Sequence, residues 1–397
     1  MFRGTTRLTD SVLARIAPLV LCLLAGCVPA HGGKARLALP CPVPGASDAS
    51  AGGANVFVAR TNRSECRDGA WVLSRERGDG PAFDRASRGD KHWAFAPGNE
   101  AGWFAALKSQ ALGASHGRPP RVLLYIHGFN NGPDQALDRA HRIAQDADFK
   151  GPVIALIWPS QRGVFKYAVD EASNEWTSLY AYELLVKLAA AKLDIVLVSH
   201  SMGNRITSEA LERLHAQSPD LVGRVRSVVL ASPDIDAGLF DRDMARAFTA
   251  PERTVTIYAS GRDTALAASS RLHGFRRLGD LGCKFAPAAE RATATATANA
   301  TSAGPCYPHL DEASGVRVID TSAVSQSPFG HSDFIASPAG RADLCRVINN
   351  LAEQGRRAIP GYAGVFALGP SAASRADCPD TAPPQPAKRK KAHHAAP

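Results

Sequence analysis

The chain is expected to fold as an α/β protein, a mostly parallel sheet covered by helices on both faces. Three observations predict this. Apolar runs of strand length show no polar alternation, as in Arg121–Ile126 (RVLLYI), Pro152–Trp158 (PVIALIW) and Ile195–Val198 (IVLV), which is how strands buried on both faces read. Segments of helical periodicity separate these runs. Residue types that carry chemistry stand just beyond the runs, where open α/β sheets hold their ligands.

Length and composition set the bounds. With 397 residues, 45% hydrophobic and 21% charged, the chain can bury one large core or two smaller ones and has the balance of an ordinary globular enzyme. The formal charge is +9. Its basic residues are scattered and no aromatic-basic module accompanies them, which points to anionic surfaces and not to a nucleic-acid partner.

The N-terminus reads as a secretory signal. Arg3, Arg7 and Arg15 precede an apolar run, Ile16–Leu24, too short to span a bilayer. The run ends in Leu24-Ala25-Gly26-Cys27, which resembles the bacterial lipobox, in which the cysteine is acylated. Residues 1–26 are therefore expected to be a signal peptide and Cys27 the lipidated first residue, with the lipid as membrane anchor. The expected location is the bacterial cell envelope, facing the periplasm or exterior. Beyond Cys22 and Cys27, six cysteines remain: Cys41, Cys66, Cys283, Cys306, Cys345 and Cys378. An even set in an oxidising compartment favours disulfides, with chain neighbours the simplest pairing. No C-x-x-C or H-E-x-x-H occurs, so neither a metal nor a cofactor is expected.

Residues 27–53, rich in Pro, Gly, Ala and Ser, read as a flexible tether. Asn55–Arg60 and Ala70–Arg75 are the expected first strands. Arg77–Arg118 is poorly patterned around a short helix at Glu100–Leu112. Pro133–Ala147 is an amphipathic helix with proline in its first turn. Glu171–Ala191 is a long helix with Trp176, Leu179, Leu184, Leu185 and Leu188 as expected core. Val225–Ala231, Arg253–Ala259 and Gly315–Asp320 are further strands, and Ala342–Arg357 is a closing helix. The Ala/Thr-rich stretch 286–303 reads as a surface insert. The domain is expected to span residues 54–360, followed by a Pro/Ala-rich basic tail at 361–397.

The centre of this pattern is Asp194–Asn204, DIVLVSHSMGN. A buried strand, a sharp turn with small residues two either side of a serine, and a helix together form a nucleophile elbow. The usual pattern is G-x-S-x-G; here Ser199 replaces the first glycine. A serine needs a base, and the base an orienting acid. Ser201, Asp263 and His331 occur in the order nucleophile, acid, histidine, with Asp263 and His331 beyond later strands. Asp263 also suits an N-cap for Thr264–Arg271. The Asp234/Asp236 pair competes for the role of acid. Asp236 is placed to cap a short helix, and Pro233 should push Ser232 towards extended backbone. Oxyanion donors are expected at the backbone N–H groups of Met202 and Phe129, the latter beyond His127-Gly128. His127 and Trp158 stand at strand ends as candidate substrate-binding residues. For His127, a role in propping its loop by hydrogen bonds is preferred to a catalytic one.

From about Asn55 to Arg357 the chain resembles a bacterial α/β-hydrolase family of unknown function, the esterase/lipase superfamily enzyme group. The similar blocks are VFVARTNR at 56–63, YIHGFNN at 125–131, IWPSQRGVFKYAVDEAS at 157–173, LVSHSMGN at 197–204, ASPDID at 231–236, YASGRDTAL at 258–266, RLGD at 277–280 and GHSDF ending at Phe334. The resemblance implies an α/β-hydrolase fold with Ser201, Asp263 and His331 as triad. It favours Asp263 over the earlier pair and suggests that Tyr167, Asp170 and Trp176 line the pocket. It implies no particular substrate. The leading expectation is a lipid-anchored serine hydrolase, carboxylesterase-like, acting on a small-molecule or lipid ester. The alternatives are an acyltransferase with the same triad and a non-catalytic envelope lipoprotein on a hydrolase scaffold.

Overall fold

A computed structural model of the chain describes residues 41, 55–89, 92–161, 163–250, 253–297, 305–308 and 315–369. The expected signal peptide, Cys27, most of the tether, Cys378 and residues 370–397 lie outside these residues.

One 11-stranded sheet organises the described residues, in the order β10-β11-β9-β8-β7-β6-β4-β5-β1-β2-β3. The strands are β1 Asn55–Arg67, β2 Ala70–Arg88, β3 Trp93–Pro97, β4 Arg121–Ile126, β5 Val153–Ile157, β6 Asp194–His200, β7 Val225–Ala231, β8 Thr254–Ala259, β9 Val316–Asp320, β10 Arg356–Ala358 and β11 Val365–Leu368. From β11 to β1 the neighbours pair in parallel, whereas β2, β3 and β10 add antiparallel edges.

The unbroken apolar runs have a simple cause. Successive strand residues point to opposite faces, and here both faces are covered. Val122, Leu124, Ile195 and Leu197 join the core beneath helices Glu100–Gly113, Tyr167–Ala190 and Gly203–Gln217. Leu123, Tyr125, Val196 and Val198 join the core beneath helices Pro133–Asp146 and Pro338–Ile348. The chain order reverses between β4 and β6, so the crevice between their carboxyl ends is the topological switch point.

Several expectations need correction. β2 is a long strand that runs on to Arg88 and pairs along most of β1, so residues 77–88 belong to the sheet. Polar and apolar residues mix there because its side chains are mostly only half-buried. Leu179 is exposed, while Ser173, Asn174, Thr177 and Ser178 are buried on the same helix. They are buried because they have partners: Thr177 meets Thr61, and Ser178 donates to Glu209. The closing helix ends at Ile348, and the domain continues past residue 360, because β11 pairs with β9. Both terminal strands are too short to announce themselves. What holds β10 is a buried pairing of Asp343 with Arg356 at 2.6 and 3.0 Å, and Tyr258 Oη donates to the same carboxylate at 2.6 Å. Ser232 adopts φ 43°, not an extended backbone, with its N–H donated to Tyr258 O.

Cys41 pairs with Cys66 and Cys283 with Cys306. The second bridge closes the Ala/Thr insert, whose helix Ala288–Thr297 is pinned by a Glu290–Arg276 ion pair.

Asp343→Ala should leave the Tyr258 hydroxyl buried without its acceptor and Arg356 with Glu353 as its remaining carboxylate partner. A loss of about 3–5 kcal/mol is expected, read as a lower denaturant midpoint. An unchanged midpoint would show that the Asp343 pairing contributes nothing to stability.

Candidate active site

The site is built at the carboxyl end of β6. Ser201 has φ 54°, a left-handed conformation that a non-glycine residue holds only when its surroundings impose it. The surroundings here are hydrogen bonds. Ser201 N donates to Ala231 O at 2.9 Å. Asn204 Nδ2 donates to Ser201 O at 2.8 Å and Ala231 O at 3.1 Å, and Ser199 Oγ donates to Asn204 Oδ1 at 2.7 Å. The serine that replaces the usual glycine therefore orients Asn204. A Cβ on Gly203 would collide with His127 O, and one on Gly128 would lie 2.7 Å from Ser201 Cβ. Both glycines are required by this close approach of the β4 loop to the elbow.

Two carbonyls flanking Ser201 are held from behind. Trp158 N donates to His127 Nε2 at 3.1 Å, so the His127 proton sits on Nδ1 and is donated to Gly128 O at 2.9 Å. Asn131 Nδ2 also donates to Gly128 O, at 3.2 Å. In a planar trans peptide the N–H points opposite to the C=O. Fixing Gly128 O thus aims the Phe129 N–H away from His127. In the same way, Asn204 Nδ2 and the Asp234 N–H (3.3 Å) hold Ser201 O and so aim the Met202 N–H. These are the two donors expected of an oxyanion hole.

His331 and Asp263 come from loops beyond β9 and β8. His331 Nδ1 donates to Asp263 Oδ2 at 2.7 Å. Asp263 is buried, and its other oxygen accepts the Leu266 N–H at 2.9 Å, so one carboxylate serves both as helix cap and as histidine partner. Gly330 (φ 67°) packs against Arg262 O, and this brings the His331 loop onto the Asp263 turn. His200 Nε2 donates to His331 O at 2.9 Å, with the two rings 4.8 Å apart. His200, beside the elbow serine, thus ties down the His331 backbone. Burial, then proximity to His331, pushes its imidazole well below the ordinary range, so it stays neutral.

Asp234 and Asp236 sit otherwise. Asp236 caps a short helix through Gly238 N and Leu239 N. Asp234 is fully enclosed by Tyr167, Ser269, Arg205 and Arg277. Burial alone would raise its carboxyl, but the two guanidiniums and two hydroxyls hold it below the usual range. It supports the elbow through its backbone and the Tyr167 hydroxyl through its side chain.

The structure moves some expected pocket residues. His127 and Trp158 are buried, stacked at 5.0 Å, and hydrogen-bonded to each other. They lie beneath the loop and do not line its open side. Asp170 is also buried, accepting from Ser160 Oγ and Gln161 N, and so ties the loop after β5. Trp176 packs on Tyr180 and under Arg77, away from these contacts. Tyr167 is half-buried against Phe129, ring centroids 5.3 Å apart, at the edge of the oxyanion loop. Asn131, His200 and Asn204 escaped the sequence reading. Their signal was position alone, each within three residues of a site glycine or serine.

A parallel sheet with a strained serine at its switch point and an Asp–His pair on later loops is the α/β-hydrolase fold. The chain belongs to the family described as "Alpha/beta hydrolase of unknown function (DUF900)", whose model matches residues 110–348. Among solved structures it is similar to Aspergillus fumigatus lipase B (12% identity, 57% of this chain and 52% of that one, TM-score 0.34). It is also similar to an esterase from Pyrobaculum calidifontis (10%, 55% and 70%, 0.28). A lipase/esterase from Lactobacillus plantarum gives 11%, 58% and 90%, with TM-score 0.26. The chain thus spans about half the length of the Aspergillus lipase. A search of curated proteins returns no match.

His127 predicts an acid limit. Burial lowers its pKa from 6.5 to about 4. Between these values the unfolded chain binds the proton that the folded chain refuses, so stability falls as pH falls, by up to about 1.4 kcal/mol per pH unit. Unfolding titrations from pH 7 to 4 should show this slope, and His127→Asn should remove that share of it while lowering stability at pH 7. An identical slope in the variant would assign the acid sensitivity elsewhere.

Proposed function

We propose that this chain is a serine hydrolase, carboxylesterase-like, acting on an ester through an acyl-enzyme. The observation that carries the reading is the His331–Asp263 hydrogen bond of 2.7 Å beside the strained Ser201 turn. With Nδ1–H committed to Asp263, His331 Nε2 is left as the base. Ser201 Oγ attacks the ester carbonyl carbon as its proton passes to Nε2. The carbonyl oxygen takes the negative charge against the N–H groups of Phe129 and Met202. Collapse expels the alcohol, which takes the proton from Nε2. Water, activated by the same nitrogen, then releases the acid and restores Ser201. Tyr167, against Phe129, is the residue best placed to border the acyl or alcohol side.

The LAGC lipobox supports a second part of the proposal: the protein is anchored through Cys27 in the bacterial envelope, with its active site in the periplasm or outside the cell.

Fluorophosphonate labelling should be stoichiometric in the parent and absent in Ser201→Ala; persistent labelling would move the nucleophile. Asp263→Asn should remain folded and lose turnover on the order of 10⁴-fold, because the histidine loses its correct tautomer. Asp236→Asn should stay within a few-fold of the parent. The reverse ranking would put the acid on the earlier strand. For the anchor, Cys27→Ser should leave the membrane fraction without detergent; full sedimentation with membranes would refute acylation at Cys27.

A further inference from the structure

Around the site, the loops expose large apolar side chains that a water-facing enzyme has no reason to display. Phe165 is 98% exposed, Leu272 68%, Phe329 65%, Phe275 63% and Val169 46%. These are five of the eight large apolar side chains exposed among the described residues, Leu112, Leu179 and Leu239 being the others; the five fall on segments following β5, β8 and β9, and these segments touch one another. Tyr167 and His273 are in ring contact at 5.5 Å, and His273 Nε2 meets Glu171 at 3.0 Å. Thr264 N donates to Phe329 O at 2.9 Å, two residues from His331. These five residues, four of them the most exposed, therefore belong to one rim beside the His331–Asp263 pair.

The charges on these segments have one sign at the surface. Lys166, Arg262 and Arg271 are exposed. The acids are withdrawn: Asp170, Asp263 and Asp333 are buried, and Glu171 is paired with Arg205 and His273. Exposed phenylalanine and leucine interleaved with lysine and arginine is the pattern of a surface that enters the headgroup region of an anionic bilayer. The apolar groups leave water at the acyl boundary while the cations remain among the phosphates. The net charge of +9 acts in the same direction.

We propose that this rim is a membrane-docking surface that seats the active-site mouth on an anionic lipid bilayer. Resting on the hydrolase reading, it follows that the substrates are lipid esters presented by the bilayer. Docking itself requires no turnover and can be tested apart from that reading.

The test is flotation of the full chain with vesicles of pure phosphatidylcholine, and of phosphatidylcholine with about 30 mol% phosphatidylglycerol. All proteins carry Cys27→Ser, so that no acyl anchor contributes, and each is checked for an unchanged melting temperature. The parent should partition more strongly onto the anionic vesicles. Phe165→Ser/Leu272→Ser/Phe275→Ser should lower that partition by roughly tenfold or more. Lys166→Glu/Arg271→Glu should remove the preference for phosphatidylglycerol. Both variants should keep parental fluorophosphonate labelling, which reads the hydrolase proposal independently. Equal partition of parent and both rim variants overturns the docking surface, whatever the labelling shows. So does a parent that ignores the vesicles but forms a dimer abolished by the serine substitutions, which would give the rim to a second copy.

Discussion

The site depends on two planar peptides whose carbonyl oxygens are already taken. Gly128 O is held by His127 and Asn131, and Ser201 O by Asn204 and the Asp234 N–H. Because C=O and N–H in one peptide point opposite ways, these hydrogen bonds aim two backbone donors without touching them. The aim is kept by burial. His127, Ser199 and Asn204 are all enclosed, where leaving a polar group unpaired is unfavourable by about 1–3 kcal/mol. Rotating either peptide would break several such bonds together, so the preorganisation that oxyanion stabilisation needs is supplied by packing.

Three aspartates at the same rim show how environment divides like residues. Asp236 is exposed to its own helix terminus and accepts from backbone N–H groups. Asp234 is surrounded by two arginines and two hydroxyls, and its charge is fully spent on them. Asp263 alone combines burial with a histidine partner. The Asp234 cluster also explains Tyr167. Burial and the adjacent carboxylate raise its phenol far above the ordinary value, so it remains a neutral donor that positions its ring against Phe129.

The fold keeps this rim at one end by winding the sheet outward from β4 and β6. Each later strand then delivers its loop to the same side. Buried polar groups such as His127, Asp170 and Asp234 gather beneath these loops, and five of the eight large apolar side chains exposed among the described residues stand on them or at their edges.

The sequence by itself determined the strand–helix alternation, the parallel sheet and the elbow. These depend on short-range patterns: uninterrupted apolar runs, small residues around Ser201, and proline at a helix start. It also gave the chain order of serine, aspartate and histidine. Tertiary structure alone decided which residues support the site and which face it. His127 and Trp158 look alike from either role in sequence, yet their stacking places them underneath. Leu179 was exposed and its serine and threonine neighbours buried because their partners lie on β1 and on the helix after the elbow. Ser232 took a left-handed turn against the bias of the following proline because its N–H is drawn to Tyr258 O. The short strands β10 and β11 have too few residues to show a period, and a buried ion pair to the preceding helix holds β10. In each case the deciding contact joins separate elements of the fold, and local pattern carries no record of it.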